Sequence, residues 1–204
     1  MKLRCSLPAV LQIAVVMLSA CAAQAAEPLS DEELDKKFPA SRWEKNSAAF
    51  EAADKEESPP QQGIVFVGSS SIVRWDLPKS FPNLPVIKRG FGGSQLSDSV
   101  HFADRIVIPY RPSTVVLYAG DNDLGSGKSP ERVLADFNAF VAKVHAELPK
   151  TTIMYIAVKP SLKRWSLIDK VRKTNALIEA VAAKDPRLVY LDIATPMLGE
   201  DGTP

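Results

Sequence analysis

Ile64-Val65-Phe66-Val67-Gly68-Ser69-Ser70-Ser71 is the stretch that decides the architecture. Four apolar residues in a row, rich in β-branched and aromatic side chains and without polar alternation, fit a strand buried on both faces of a parallel sheet. The glycine and three serines that follow mark a turn into a helix. Comparable runs recur at Pro85-Val86-Ile87, Thr114-Val115-Val116-Leu117-Tyr118, Thr152-Ile153-Met154-Tyr155-Ile156 and Leu188-Val189-Tyr190-Leu191, so five strands are expected. Helical spacing fills the gaps. Leu96, Val100, Ala103 and Val107 form one stripe, and Ile168, Val171, Ile178 and Val181 another. Between them, Ser129-Pro130 supplies a cap and a first-turn proline for a helix carrying Val133, Phe137, Phe140, Val141 and Val144, which Pro149 ends. Alternating strands and helices with right-handed crossovers predict a doubly wound, three-layer α/β sandwich around a five-stranded parallel sheet. Ligands of such sheets bind beyond the carboxyl ends of the strands.

Upstream of this core the sequence changes character. Lys2 and Arg4 precede an apolar run from Leu7 to Ala20 and the small residues Ala22, Ala23, Ala25 and Ala26. Residues 1–25 are therefore expected to be an export signal, giving a periplasmic or secreted protein. Leu18-Ser19-Ala20-Cys21 also has the form of a lipoprotein signal, so membrane attachment through a lipidated Cys21 is a second expectation. Residues 26–62 read as a helical arm laid against the main domain at 63–204. Ser30-Asp31-Glu32-Glu33 has capping-box spacing, and Trp43, Phe50 and Ala53 share one face of a second helix that stops at Pro59-Pro60.

The composition narrows the function. Within 204 residues, Lys and Arg total 25 against 24 Asp and Glu, and removing Lys2 and Arg4 leaves 23 basic residues. No surplus of positive charge exists to neutralise a phosphate backbone, so no nucleic-acid partner is expected. Two His and two Cys, with both Cys5 and Cys21 in the leader, leave too few ligands for a structural zinc site or a disulfide in the exported domain. No cofactor, no metal and a monomeric state are expected.

The residues that follow each strand carry the chemistry. After the first comes Gly68-Ser69-Ser70-Ser71, where a serine at a helix start is either a cap or a nucleophile helped by the neighbouring N–H groups. After the second comes Gly90-Phe91-Gly92-Gly93-Ser94, whose spacing is not that of a dinucleotide fingerprint but whose backbone can approach a ligand closely. After the third comes Gly120-Asp121-Asn122-Asp123, either an Asx turn or the source of an amide donor aimed into the crevice.

In that order, the three segments resemble the SGNH hydrolases, or GDSL-type lipases and esterases, of the bacterial exported branch. The resemblance runs from about Gly63 to the C-terminus and rests on Gly68-Ser69-Ser70-Ser71, on Arg89-Gly90-Phe91-Gly92-Gly93-Ser94-Gln95 and on Tyr118-Ala119-Gly120-Asp121-Asn122-Asp123. It implies a flavodoxin-like sheet, Ser70 as nucleophile, the Gly93 N–H and the Asn122 side chain as oxyanion donors, and hydrolysis of carboxylic esters through an acyl-enzyme. Envelope or environmental esters, whether of carbohydrates, lipids or small molecules, are the expected substrates.

Two positions depart from that family. Ser69 replaces the acidic residue before the nucleophile, which bears on loop geometry. The family's Asp-x-x-His, whose histidine is the general base, is absent before the sequence ends at Asp201-Gly202-Thr203-Pro204. The expectation is therefore a hydrolase truncated ahead of that motif and strongly impaired as it stands; the alternative is an extracytoplasmic carbohydrate- or lipid-binding protein with an inactive pocket. His101 and His145 both fall inside helices, and Asp192 ends the fifth strand as a turn carboxylate. Lys159, Arg164 and Trp165 follow the fourth strand as a solvated loop or as contacts to a sugar or head group.

Overall fold

All five apolar runs lie side by side in a computed structural model that describes residues 29–204. The expected leader, with Cys5, Cys21 and the lipidation site, lies outside the described residues. In chain order the elements are α1 (Asp31–Lys37), α2 (Glu44–Glu56), β1 (Ile64–Gly68), α3 (Ser70–Arg74), α4 (Leu77–Ser80), β2 (Val86–Gly90) and α5 (Leu96–Ile106). There follow β3 (Thr114–Tyr118), α6 (Asp121–Ser126), α7 (Pro130–Glu147), β4 (Thr152–Ile156), α8 (Ile168–Ala182) and β5 (Leu188–Leu191). The sheet is wholly parallel in the order β2-β1-β3-β4-β5. No described helix is long and apolar enough to cross a membrane.

Side-chain alternation along each strand builds the two outer layers. Val65 and Val67, Val115 and Leu117, and Ile153 and Tyr155 face the larger core, filled by Phe91, Phe102, Phe137, Phe140, Val144 and Ile178 from the loop after β2 and from α5, α7 and α8. Phe66, Val116, Tyr118 and Ile156 face the other side, where Ile72, Trp75, Leu77 and Phe81 from the α3–α4 region meet them. Cover on that second side is unequal. Val189 and Leu191 of β5 remain 37% and 41% exposed.

Local signals behave as their chemistry dictates. Ser30 Oγ accepts the Glu33 N–H while the Glu33 carboxylate accepts the Ser30 N–H, and Ser129 Oγ accepts the Arg132 N–H ahead of Pro130. One strand is longer than its apolar run: β2 continues through Lys88 and Arg89 to Gly90. It is an edge strand, so Lys88 reaches solvent while Arg89 is compensated by Asp54 and by the Tyr110 hydroxyl. The short helices α3, α4 and α6 leave no periodic stripe, being four to six residues long.

The helices α1 and α2 pack on the α5 side. Glu44 and Glu51 bind Arg105, Asp35 binds Arg132, and Phe91 is stacked by Trp43 and met at a tilt by Phe50. Beneath them, Lys128 is fully buried, with its Nζ 2.9 Å from Asp136 Oδ2, 2.9 Å from Ser97 Oγ and 3.4 Å from Asp123 Oδ1. Asp123, also fully buried, accepts the Leu96 N–H at the start of α5 through both oxygens, at 3.0 and 3.2 Å. Burial pushes the Asp123 carboxyl up to about 6, against the opposing pull of Lys128.

Two outcomes follow from this framework. A Cβ on Gly68 would lie 1.9 Å from the Tyr118 carbonyl oxygen at a φ of +134°. Gly68→Ala should therefore lower stability by about 3 kcal/mol, seen as a reduced urea midpoint at unchanged slope. Lys128→Met strands the fully buried Asp123, while Asp136 keeps Arg132 at 3.0 Å, and should cost about 3–5 kcal/mol at pH 8. Because the folded-state value of Asp123 lies above its ordinary value of 3.8, its contribution is full at low pH and is lost as pH rises through about 6. The deficit of the variant should accordingly shrink between pH 8 and pH 5 in paired urea titrations.

Candidate active site

Parallel register brings the ends of β1, β2 and β3 level, with Gly68 opposite both Gly90 and Tyr118. The three loops that leave this line are stitched to one another. The Phe91 N–H donates to Gly68 O at 2.8 Å, the Ser69 N–H donates to Tyr118 O at 2.8 Å, and Asn122 Nδ2 donates to Ser94 O at 2.9 Å. Every one of these bonds lies within two residues of Ser70, Gly93 or Asn122.

Ser70 is the first residue of α3, half-buried, with Ser69 as the extended residue ahead of it. Its own N–H is among the first-turn donors that a helix leaves unpaired. Ser69, at the position where the family carries an acid, is fully buried and its hydroxyl has no partner. Gly93 is exposed, with a φ of +92° that favours glycine, and the space where a side chain would stand is open. Gly93 and Asn122 line one open cleft of about 310 Å³ together with Phe38, Arg42, Trp43 and Arg164.

The orientation of the Asn122 carboxamide is determined by its partners. Oδ1 accepts from Arg164 Nη2 at 2.9 Å and Nδ2 donates to Ser94 O, which leaves the second amide hydrogen available. Arg164 is itself held by Asp121 at 3.2 Å. Lys159 Nζ donates to Ser71 Oγ at 2.9 Å and to the Tyr118 hydroxyl at 2.8 Å, and stands 3.6 Å from Asp121. Burial, followed by the charge of Asp121, raises the Tyr118 phenol well above its usual range, so it stays neutral and accepts from the lysine. Lys159 and Arg164 are thus tied into the site and are not the free solvated loop that their polarity suggests.

The histidines lie elsewhere. His101 is exposed on α5 with its ring edge against Phe102, and His145, late in α7, bonds the Thr151 carbonyl through Nε2. Neither is a hydrogen-bond partner of Ser70. Asp192 accepts the N–H groups of Ala194 and Thr195 at 2.8 and 3.0 Å, and these bonds hold its carboxyl below the usual carboxylate range. Among the described residues, no group of three or more His, Cys, Asp or Glu side chains converges as a metal centre.

Three supporting residues, Asp98, Arg42 and Lys128, escape a reading of the sequence, as does the bond that Trp43 makes to Asp98. Asp98 accepts the Gln95 N–H from the third position of α5, a reversed capping box with glutamine at the cap. Arg42 and Trp43 join the same carboxylate from 55 and more residues away, and Lys128 looks like an ordinary surface lysine until the fold buries it. Long-range partners of this kind leave no local pattern.

Comparison with known proteins accords with this arrangement. The profile of the GDSL-like Lipase/Acylhydrolase family matches residues 68–204. Platelet-activating factor acetylhydrolase IB subunit alpha1 of Bos taurus is 26% identical over 170 residues, covering 79% of this chain and 70% of the bovine protein. Among solved structures, a Streptococcus pneumonia protein carrying a platelet-activating-factor label superposes with a TM-score of 0.71 at 18% identity, over 84% of each chain. A GDSL-like lipase from Bacteroides thetaiotaomicron gives 0.60 at 22% identity, over 80% of this chain and 82% of its own. These two show the shared fold. The match across two-thirds of the sequence, including every strand end that builds the rim, places the chain in the GDSL-like lipase and acylhydrolase family.

Proposed function

We propose that the protein is a serine esterase that cleaves carboxylic esters through an acyl-enzyme formed on Ser70. The observation that carries this reading is the level register of β1, β2 and β3, which starts α3 at Ser70 on the same sheet edge as the cleft walled by Gly93 and Asn122, although Ser70 itself is not in that cleft's lining. Ser70 Oγ would bond to the ester carbonyl carbon as its proton passes to a base. The carbonyl oxygen would become an oxyanion facing the N–H groups of Ser70 and Gly93 and the free amide hydrogen of Asn122. Collapse of that intermediate breaks the bond to the alcohol, which leaves with a proton, and water then releases the acid. Membership of an acylhydrolase family supports ester hydrolysis in general. The name of the bovine relative, an acetylhydrolase, favours a short acyl group. The charged and apolar residues 1–25 support export, with Cys21 as a point of lipid attachment.

The base is the weak link of this chain. His101 and His145 do not bond Ser70, and Lys159 is engaged by Ser71, Tyr118 and Asp121. Hydrolysis by the 204-residue chain should then rest on the oxyanion donors and binding alone, which in serine proteases still give about 10³–10⁴ over water. The same feature favours a second reading, an extracytoplasmic protein that binds a carbohydrate or lipid in the pocket without turnover.

Hydrolysis of p-nitrophenyl acetate, with and without added imidazole as an external proton acceptor, separates the two. The esterase reading expects slow turnover that imidazole accelerates and that Ser70→Ala removes; equal rates in the wild-type protein and Ser70→Ala would overturn it and leave the binding reading. Asn122→Ala should lower the Ser70-dependent kcat by about 10²–10³. An unchanged kcat would remove Asn122 from the reaction.

A further inference from the structure

We infer that Trp43, carried by the segment ahead of the family-matched region, is a positioning residue that clamps the oxyanion loop and so aims the Gly93 N–H. The inference rests on the esterase reading for its catalytic consequence, but its structural content stands apart. Gly92, Gly93 and Ser94 form a short span with two ends; Trp43 packs on one and reaches the other through Asp98. At one end its ring stacks on Phe91, with centroids 6.0 Å apart and planes 13° from parallel. Phe91 is fully buried, is packed also by Phe50 and Phe102, and is pinned to the nucleophile strand by its N–H bond to Gly68 O. At the other end Trp43 Nε1 donates to Asp98 Oδ2 at 3.0 Å. The same oxygen accepts the Gln95 N–H at 2.8 Å and Arg42 Nη2 at 2.9 Å.

The Asp98 side chain is only 1% exposed, and Arg42 is the cation paired with it. All three donors converge on Oδ2 while Oδ1 is buried without a partner, so loss of any of them would leave the carboxylate still shorter of donors, and the bonds to Gln95 and to the indole should be strongly retained. Behind Gln95, the Leu96 N–H is held by Asp123 and the Gln95 side chain by Ser126. The glycine pair, which has no side chain of its own to anchor, is therefore fixed from outside. Both glycines also lie in the cleft that Phe38, Arg42 and Trp43 help to wall. An oxyanion donor is useful only if it is already in place when charge develops, since movement at that moment forfeits the advantage.

The test compares three single variants of the full chain. Trp43→Phe keeps an aromatic ring on Phe91 but removes the Nε1 donor, and Trp43→Leu removes both contacts. Glu51→Gln weakens a different attachment of the same segment, to Arg105, away from the cleft. The Ser70-dependent hydrolysis of p-nitrophenyl acetate in imidazole should show kcat reduced about 10-fold in Trp43→Phe and further in Trp43→Leu, at a KM within about 2-fold of wild type, while Glu51→Gln leaves both unchanged. Backbone ¹⁵N relaxation supplies a readout that needs no turnover. The Gly93 order parameter should fall from about 0.85 toward 0.6 in Trp43→Phe and stay in place in Glu51→Gln. An unaltered Gly93 amide in Trp43→Phe, or an equal kcat loss in Glu51→Gln, would overturn the clamp. If instead Ser70→Ala matches wild type while the Gly93 amide loosens in Trp43→Phe, the clamp stands and the esterase reading is what fails.

Discussion

Parallel register between β1 and its two neighbours is the constraint on which the site depends. Gly68 sits opposite Gly90 on one side and Tyr118 on the other, so three loops of different sequence depart from one line. The loops that carry Ser70, Gly93 and Asn122 therefore start from one edge of the sheet without any of them being long. The arrangement has a steric requirement. At Gly68 the backbone turns with a φ of +134° so closely past the Tyr118 carbonyl that only hydrogen fits. At Gly120, equally left-handed, a Cβ would meet Val158 at 2.7 Å and the Tyr155 hydroxyl at 3.0 Å. Glycine at both turns keeps the rim tight.

Charge burial does the rest of the positioning. Asp98, Asp123 and Lys128 are almost wholly removed from water, yet each bonds backbone or side-chain groups just after the Gly92–Ser94 segment. Ion pairs in such places often contribute little net stability, because desolvation offsets the attraction between them. Their geometric effect is of another kind. A buried carboxylate with specific donors tolerates few alternative arrangements, and the N-terminal end of α5 is therefore defined to within a hydrogen-bond length. The same logic applies at Asn122, where Arg164 selects which way round the carboxamide points. A guanidinium 42 positions away thus decides which way round the carboxamide stands in the cleft.

How much of this could be read from the chain alone follows from the range of each interaction. Strands buried on both faces announce themselves as apolar runs, and Ser30, Ser129 and Pro130 mark helix starts through contacts only three residues apart. The sheet and its major helices were accordingly legible. The candidate trio was legible in composition and order, since each member follows a strand. What the sequence hides is whatever depends on contacts across 54 to 88 positions: Arg42 and Trp43 on Asp98, Glu51 on Arg105, Lys159 on Ser71. Lys159 and Arg164 illustrate the point. Their polarity reads as a solvated loop, and only the fold shows that Asp121 and Asn122 claim them. The continuation of β2 through Lys88 and Arg89 was hidden for a related reason, because an edge strand needs less apolar cover.

The stack of Trp43 on Phe91 also separates two ways of drawing a boundary. The family profile begins at residue 68, while the contacts that finish the core begin some thirty positions earlier, with Leu34, Trp43 and Phe50. A fragment cut at the first residue of the profile would bare an aromatic ring made for the interior and would strip Asp98 of its cation. The span of a family profile and the span that completes the core are different lengths of polypeptide here, and for expression or transplantation it is the longer one that counts.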